Sequence, residues 1–266
     1  MIRASKFIFY LWVFISVAPL LVLAILTFST FWPYPALLPE VMSLDYYYHV
    51  FVQNSASTWR AVTTSLTLAV LVALISLAVA VPAAKALTHH KFFGKNFIKM
   101  LVLVPIIVPG IAVAIGNQIS MIRFGLTGTL LGVAIIHTVF AMPFAIRIMC
   151  NTFEAVGKSL EVQATVLGAG FMFTFWRVTF PLIMPGLLAA FTLSFTISIA
   201  QYVTTLMIGG GRIITLTVLL VPFVQGGQNH IAAIYSLLLI VVAVISLALM
   251  EHVVKRYYNF ENVFYA

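Results

Sequence analysis

The sequence predicts an all-α membrane protein of six transmembrane helices, and three observations predict it. Of its 266 residues, 63% are hydrophobic and only 8% charged, against about 45–50% apolar and about 25% charged in a soluble domain. One soluble core of this size cannot hide so many apolar side chains, so lipid covers part of them. The apolar residues also fall in runs long enough for the roughly 20 residues that a helix needs to cross hydrocarbon. Finally, the basic residues lie between those runs and not in one patch. The net charge of +8 therefore reads as membrane topology and not as a nucleic-acid surface. A membrane barrel would show alternating segments of about ten residues, and none is evident.

In chain order the spans are expected at about Phe7–Ser29, Ala61–Ala83, Met100–Ser120, Thr129–Met149, Ile183–Met207 and Ile231–Met250. The whole chain, 1–266, reads as one transmembrane domain. Arg3 and Lys6 precede the first run as they would in a signal peptide. That run is longer than a signal core, and no small-x-small cleavage site follows, so an uncleaved helix is expected. Orientation follows from Lys and Arg. With the N-terminus inside, the inner side holds Arg3, Lys6, Lys85, Lys91, Lys95, Lys99, Arg147, Lys158, Arg177, Lys255 and Arg256. The outer side holds Arg60, Arg123 and Arg212, which completes the 14 basic residues. Six spans then return the C-terminus to the cytoplasm.

The loops differ in character. The first outer loop carries Phe31-Trp32-Pro33-Tyr34-Pro35, Tyr46-Tyr47-Tyr48 and Trp59. Such rings favour the membrane interface, and contact with an external partner is the sharper alternative. The first inner loop, Lys85 to Lys99, includes His89 and His90. Adjacent histidines diverge on a helix and have no further ligand beside them, so no metal site is expected. The longest inner loop runs from about Asn151 to Phe180 with Glu154, Lys158, Glu161 and Arg177. It is the natural place for a soluble partner to dock. The last outer loop, Ile208 to His230, holds Gly209-Gly210-Gly211-Arg212, Gly226-Gly227 and an apolar segment, Ile213–Gln225, broken by Pro222. That segment is too short to span and is expected as a short helix at the outer surface.

The chemistry the sequence offers is sparse. No G-x-x-x-x-G-K-[ST] phosphate loop occurs, so no ATP site is expected on this chain. Only six acidic residues exist and none sits mid-span, which disfavours a proton relay or a sodium-coupled carboxylate. The single cysteine, Cys150, excludes an internal disulfide. Polar residues within spans are the candidates for a translocation path: Asn117 and Gln118 in the third, His137 in the fourth, and Gln201, Tyr202, Thr204 and Thr205 in the fifth. Each has a plainer reading as a helix–helix hydrogen bond. Pro105, Pro109-Gly110, Pro143 and Pro185-Gly186 are expected to bend their helices.

The long inner loop carries a more specific pattern. Leu160-Glu161-Val162-Gln163-Ala164 leads to Leu167-Gly168-Ala169, and nine residues after Gly168 come Val178, Phe180 and Pro181, then Pro185-Gly186. This resembles the EAA loop of ABC importer permeases, with Val162 and Gln163 where Glu and Ala are usual. A Phe-Gly-Leu-Thr-Gly-Thr stretch, Phe124–Thr129, adds to the likeness, which is closest to the polyamine, iron, thiamine and aminoethylphosphonate permease group. The resemblance implies a type I importer permease fold in a bacterial inner membrane. It implies three partners besides lipid: an ABC ATPase dimer that binds the ATP, a second permease subunit, homologous or identical, and an extracytoplasmic substrate-binding protein. It makes Glu161, Ala164, Gly168, Val178 and Pro181 the expected coupling residues, with no cofactor, metal or nucleic acid. The implied substrate is a small polar organic solute such as a polyamine or aminoethylphosphonate. The stretch Ser198-Ile199-Ala200-Gln201-Tyr202 lacks the acids a polycation favours, so a neutral, zwitterionic or anionic solute fits as well. An ATP-independent secondary transporter or channel is the alternative; it predicts a coupling carboxylate or paired broken helices.

Overall fold

The computed structural model describes residues 2–33, 35–36 and 38–257, with side chains between residues 9 and 252. Tyr34 lies outside the described residues, as do the side chains of Arg3, Lys6, Lys255 and Arg256 used above for orientation. The chain is predominantly helical, as predicted. Helices long and apolar enough to cross a membrane cover Phe9–Phe28, Ser55–His89, Leu130–Val156, Phe171–Ala200 and Asn229–His252. A sixth crossing exists if Lys95–Ile107 and Gly110–Arg123 together make one span.

The chain divides into two compact units, Met1–Val62 with Thr215–Val244, and Thr63–Ile214 with Ile245–Ala266. The first unit begins with α1 (Ile2–Phe28). Its described side chains are apolar almost all round and largely exposed, as expected of a helix solvated by lipid. A small antiparallel ladder of β1 (Ser29–Phe31) and β2 (Val41–Met42) follows. Then come α2 (Asp45–Tyr48), a π-helical turn at His49–Gln53, and the start of α3 (Ser55–His89). The core is Val50 with Ile231, Ile234 and Tyr235 of α12 (Asn229–Tyr257). α11 (Leu216–Gln225) packs on it through Leu219, Leu220 and Phe223. Thr58 ties this core together, its hydroxyl 2.9 Å from the Val50 carbonyl and 3.1 Å from the Tyr235 hydroxyl. The aromatics of the first loop divide. Tyr47 donates to Thr27 at 2.8 Å and Tyr46 stacks on His230, while Phe31, Tyr48 and Trp59 stay exposed.

The second unit is organised around α6 (Leu130–Val156) and α9 (Phe180–Ala200), which pack antiparallel: Thr152 lies against Gly186, and His137 lies against Ser198. α6 starts at Thr129, whose Oγ1 accepts from the Gly132 amide at 3.0 Å, and ends at Gly157 with φ 69°. One core cluster joins Ala80, Ala84 and Leu87 of α3 to Met149 and Phe153 of α6 and Ile183 of α9. A second joins Leu68 and Val72 of α3 to Met121, Val133, Ile136 and Ile208.

Two expected spans are interrupted. The third is two helices, α4 (Lys95–Ile107) and α5 (Gly110–Arg123), bent by 104°. Pro109 lacks an N–H, and it drives Val108 into extended backbone, φ −77° and ψ 133°. The fifth begins earlier than Ile183 and stops earlier than Met207. α9 ends at Ala200, Gln201 is extended with ψ 121°, and α10 (Val203–Gly209) restarts the chain. The segment 151–180, expected as a loop, is mainly helical. α6 runs to Val156, then come α7 (Ser159–Val166), α8 (Phe171–Thr174) and a π-helical turn at Phe175–Thr179 that merges into α9.

Candidate functional site

α7 is a two-turn helix held at both ends. Ahead of it, the Lys158 ammonium donates to the His89 carbonyl, and the His89 ring lies 3.3 Å from the Phe153 carbonyl. Within its first turn, Glu161 Oε1 accepts from Lys85 Nζ of α3 at 2.9 Å and from Thr179 Oγ1 at 2.5 Å. Lys85 Nζ also sits 5.6 Å from the centre of the Phe171 ring, a cation–π distance. One carboxylate thus joins α7, α3 and the entrance to α9. Partial burial pushes the Glu161 carboxyl upward, but the hydrogen bonds from Thr179 and Lys85 and the charges of Lys85 and His89 outweigh it. The carboxyl is held below its ordinary value and ionised at neutral pH.

The far end of α7 closes with paired reverse bonds. The Gly168 amide donates to Thr165 and the Ala169 amide to Ala164, each at 3.0 Å. This closure needs a left-handed residue, and Gly168 supplies it with φ +86°. Nothing fills the space around Gly168. The helix crest is apolar and unprotected: Val162 is 55% exposed, Val166 81% and Leu167 86%. Ala164 is half-buried on the opposite face.

Val178 and Pro181 flank Thr179, the residue that bonds Glu161, at the entrance to α9. Pro181 is the second residue of α9 and lies within a helix already under way from Phe171. In a regular helix its ring would collide with the Arg177 carbonyl and its missing N–H would orphan it. The wider π turn at Phe175–Thr179 carries the chain through this stretch and holds half-buried Val178.

The path candidates are only partly brought together. His137 is fully buried, with Nδ1 3.0 Å from Ser198 Oγ and Nε2 3.0 Å from Thr205 Oγ1. Thr205 spends its proton on the Gln201 carbonyl at 3.1 Å, so Nε2–H donates to Thr205 and Nδ1 accepts from Ser198. Both ring nitrogens are engaged, and the ring bridges α9 and α10 across their break. His137 thus acts as a pin between helices in this structure. The Gln201 side-chain oxygen accepts from Thr204 at 3.1 Å, and Tyr202 is half-buried at the break. Asn117 turns back on α5, bonding the Val113 carbonyl at 2.8 Å, with half-buried Gln118 beside it.

Sequence reasoning missed Lys85 and Thr179, the two donors to Glu161. Lys85 stood out only as an inner-side charge, and no local pattern marks a pairing across 76 residues. Ser198 was passed over for the same reason. Among the described residues, no group of three His, Cys, Asp or Glu side chains is placed to hold a metal ion.

Residues 76–258, more than half of the chain, match the protein family described as binding-protein-dependent transport system inner membrane component. The chain is 29% identical over 213 residues to the molybdenum transport system permease protein of Haemophilus influenzae, covering 74% of this chain and 93% of that protein. It is 25% identical over 240 residues to a Salmonella typhimurium protein named as a 2-aminoethylphosphonate transport system permease, covering 90% and 89%. Its fold is similar to a chain in the crystal structure of a bacterial ABC transporter involved in the import of the acidic polysaccharide alginate. There the TM-score is 0.72 at 19% identity, covering 96% of this chain and 95% of that one. The match over more than half of the chain establishes that it belongs to the binding-protein-dependent transport system inner membrane components, the multi-pass permease subunits of ABC importers whose ATPase is a separate subunit.

Proposed function

We propose that this chain forms, with a second permease subunit, the path of an ATP-driven importer, and that α7 is where the ATPase subunit docks. The whole chain acts as one permease domain of the bacterial inner membrane with both termini cytoplasmic. An extracytoplasmic binding protein delivers the solute. One observation carries the docking role: α7 is fastened to α3 and α9 through Glu161 while Val162, Val166 and Leu167 remain uncovered. Exposed side chains of that size suit burial against a partner. Glu161 then acts by orienting α7, Gly168 by ending it, and Ala164 by packing behind it. Val178 and Pro181 connect it to α9. Asn117, Gln118, Gln201 and Tyr202 are the path-lining candidates, with His137 and Thr205 holding the break beside them.

For the solute, the relatives are named for molybdenum and for 2-aminoethylphosphonate. Molybdate and phosphonates are both tetrahedral oxyanions. A path without a mid-span acid suits an anion or zwitterion better than a polyamine, and a small oxyanion is the reading adopted. The docking role is tested with the double variant Val166→Asp/Leu167→Asp. It is expected to insert in the membrane at normal levels, lose the co-purifying ATPase subunit and lose ATP-driven uptake. Normal ATPase recovery with wild-type uptake would remove α7 from this role.

A further inference from the structure

At the end of the second unit that leads into α7, a separate cavity of about 280 Å³ opens between α3, α4 and α6. Its inner wall is apolar, with Val102 of α4 and Ile146 of α6 both part of the core cluster beneath. Its mouth holds two exposed cations from different helices, Lys99 of α4 and Arg147 of α6, beside one carboxylate, Glu154. Among the described residues neither cation forms an ion pair with a carboxylate; the one salt bridge there joins Lys85 to Glu161. Half-buried Cys150, the single cysteine of the chain, lines the same cavity.

Two cations and one carboxylate lining a largely apolar cavity define what can fill the space. A neutral lipid would cover the wall but leave two cations against the single carboxylate of Glu154, a net positive charge. A free anion would pair the cations but leave the wall wet. A lipid with an anionic headgroup does both: its phosphate takes charged hydrogen bonds and its chain continues along the apolar side. The volume, about 280 Å³, lies just below the roughly 300–1,000 Å³ usual for small-ligand pockets, which suits a phosphodiester better than a bulky polar solute. We propose that this cavity binds the headgroup of an anionic phospholipid, with Lys99 and Arg147 pairing the phosphate and Val102 and Ile146 meeting the first part of an acyl chain.

The test uses the intact chain, purified with its partner subunits in neutral detergent and titrated with phosphatidylglycerol, phosphatidylcholine or inorganic phosphate. Native mass spectrometry counts bound lipid, and maleimide labelling of Cys150 reports occupancy of this cavity. Phosphatidylglycerol is expected to bind and, at about twice its Kd, to slow Cys150 labelling about threefold, as 1 + [L]/Kd requires. Phosphatidylcholine and phosphate should do neither. The Lys99→Gln/Arg147→Gln variant should still co-purify with its partners, bind one fewer phosphatidylglycerol and lose the protection. Equal retention of both lipids, an unchanged lipid count in the double variant, or equal protection by inorganic phosphate would each overturn the assignment, the last in favour of a soluble anion. Where labelling is too slow to follow, the lipid count alone decides.

Discussion

At the scale of single residues, the Glu161 carboxylate works against its own desolvation. Burial raises its pKa, and the Thr179 and Lys85 contacts more than reverse that. A carboxyl held below its ordinary value lends stability that is fully present above that value and lost as pH falls through the lowered one. The Lys85–Glu161–Thr179 contact is therefore whole at neutral pH and opens only on acidification below the usual carboxylate range. Glu161→Gln removes the charge and keeps the shape. A partly exposed ion pair is worth about 0.2–1 kcal/mol, so hydrogen exchange across Ser159–Val166 should quicken about 1.5- to 5-fold at pH 7, with less sensitivity to acid. An exchange rate equal to wild type would mean that the pair does not anchor α7.

At the scale of elements, α6 and α9 of the second unit meet closely at Gly186. A Cβ added to Gly186 would overlap the Oγ1, Cβ and Cγ2 of Thr152. Small residues let helix backbones meet in a membrane, and overfilling such a contact costs about 1–3 kcal/mol. Gly186→Ala should lower the thermal midpoint of the detergent-solubilised chain, and adding Thr152→Ala should restore part of the loss. A midpoint unmoved by Gly186→Ala would show that the helices have room to part. The crossing helices themselves were legible because hydrophobic runs of such length have few other uses. Proline marked the bend between α4 and α5, but only the surrounding packing sets its 104°. The merging of Phe171–Thr179 into α9 escaped notice because Arg177 and Thr179 interrupt the apolar run there. The turn around Gly168 was legible in its glycine and its spacing. Its fastening was not, because Lys85 and Thr179 reach Glu161 through the fold and not through the local sequence.

At the scale of the whole molecule, charge and path composition point the same way. The chain carries a net charge of +8, and none of its six acidic residues sits mid-span, as the proposed oxyanion solute requires. Binding-protein-dependent uptake by the assembled importer is expected with molybdate or 2-aminoethylphosphonate, and an equal concentration of spermidine should not compete. Spermidine uptake at a comparable rate would reverse the assignment. The contact at Glu161 also bears on how motion passes through the protein. Because one carboxylate holds α3 and the entrance to α9 together, the proposed docking role predicts that displacing α7 pulls on both helices at once. A segment tethered at neither would dissipate that movement as slack, and a double anchor is expected to pass it on as torque.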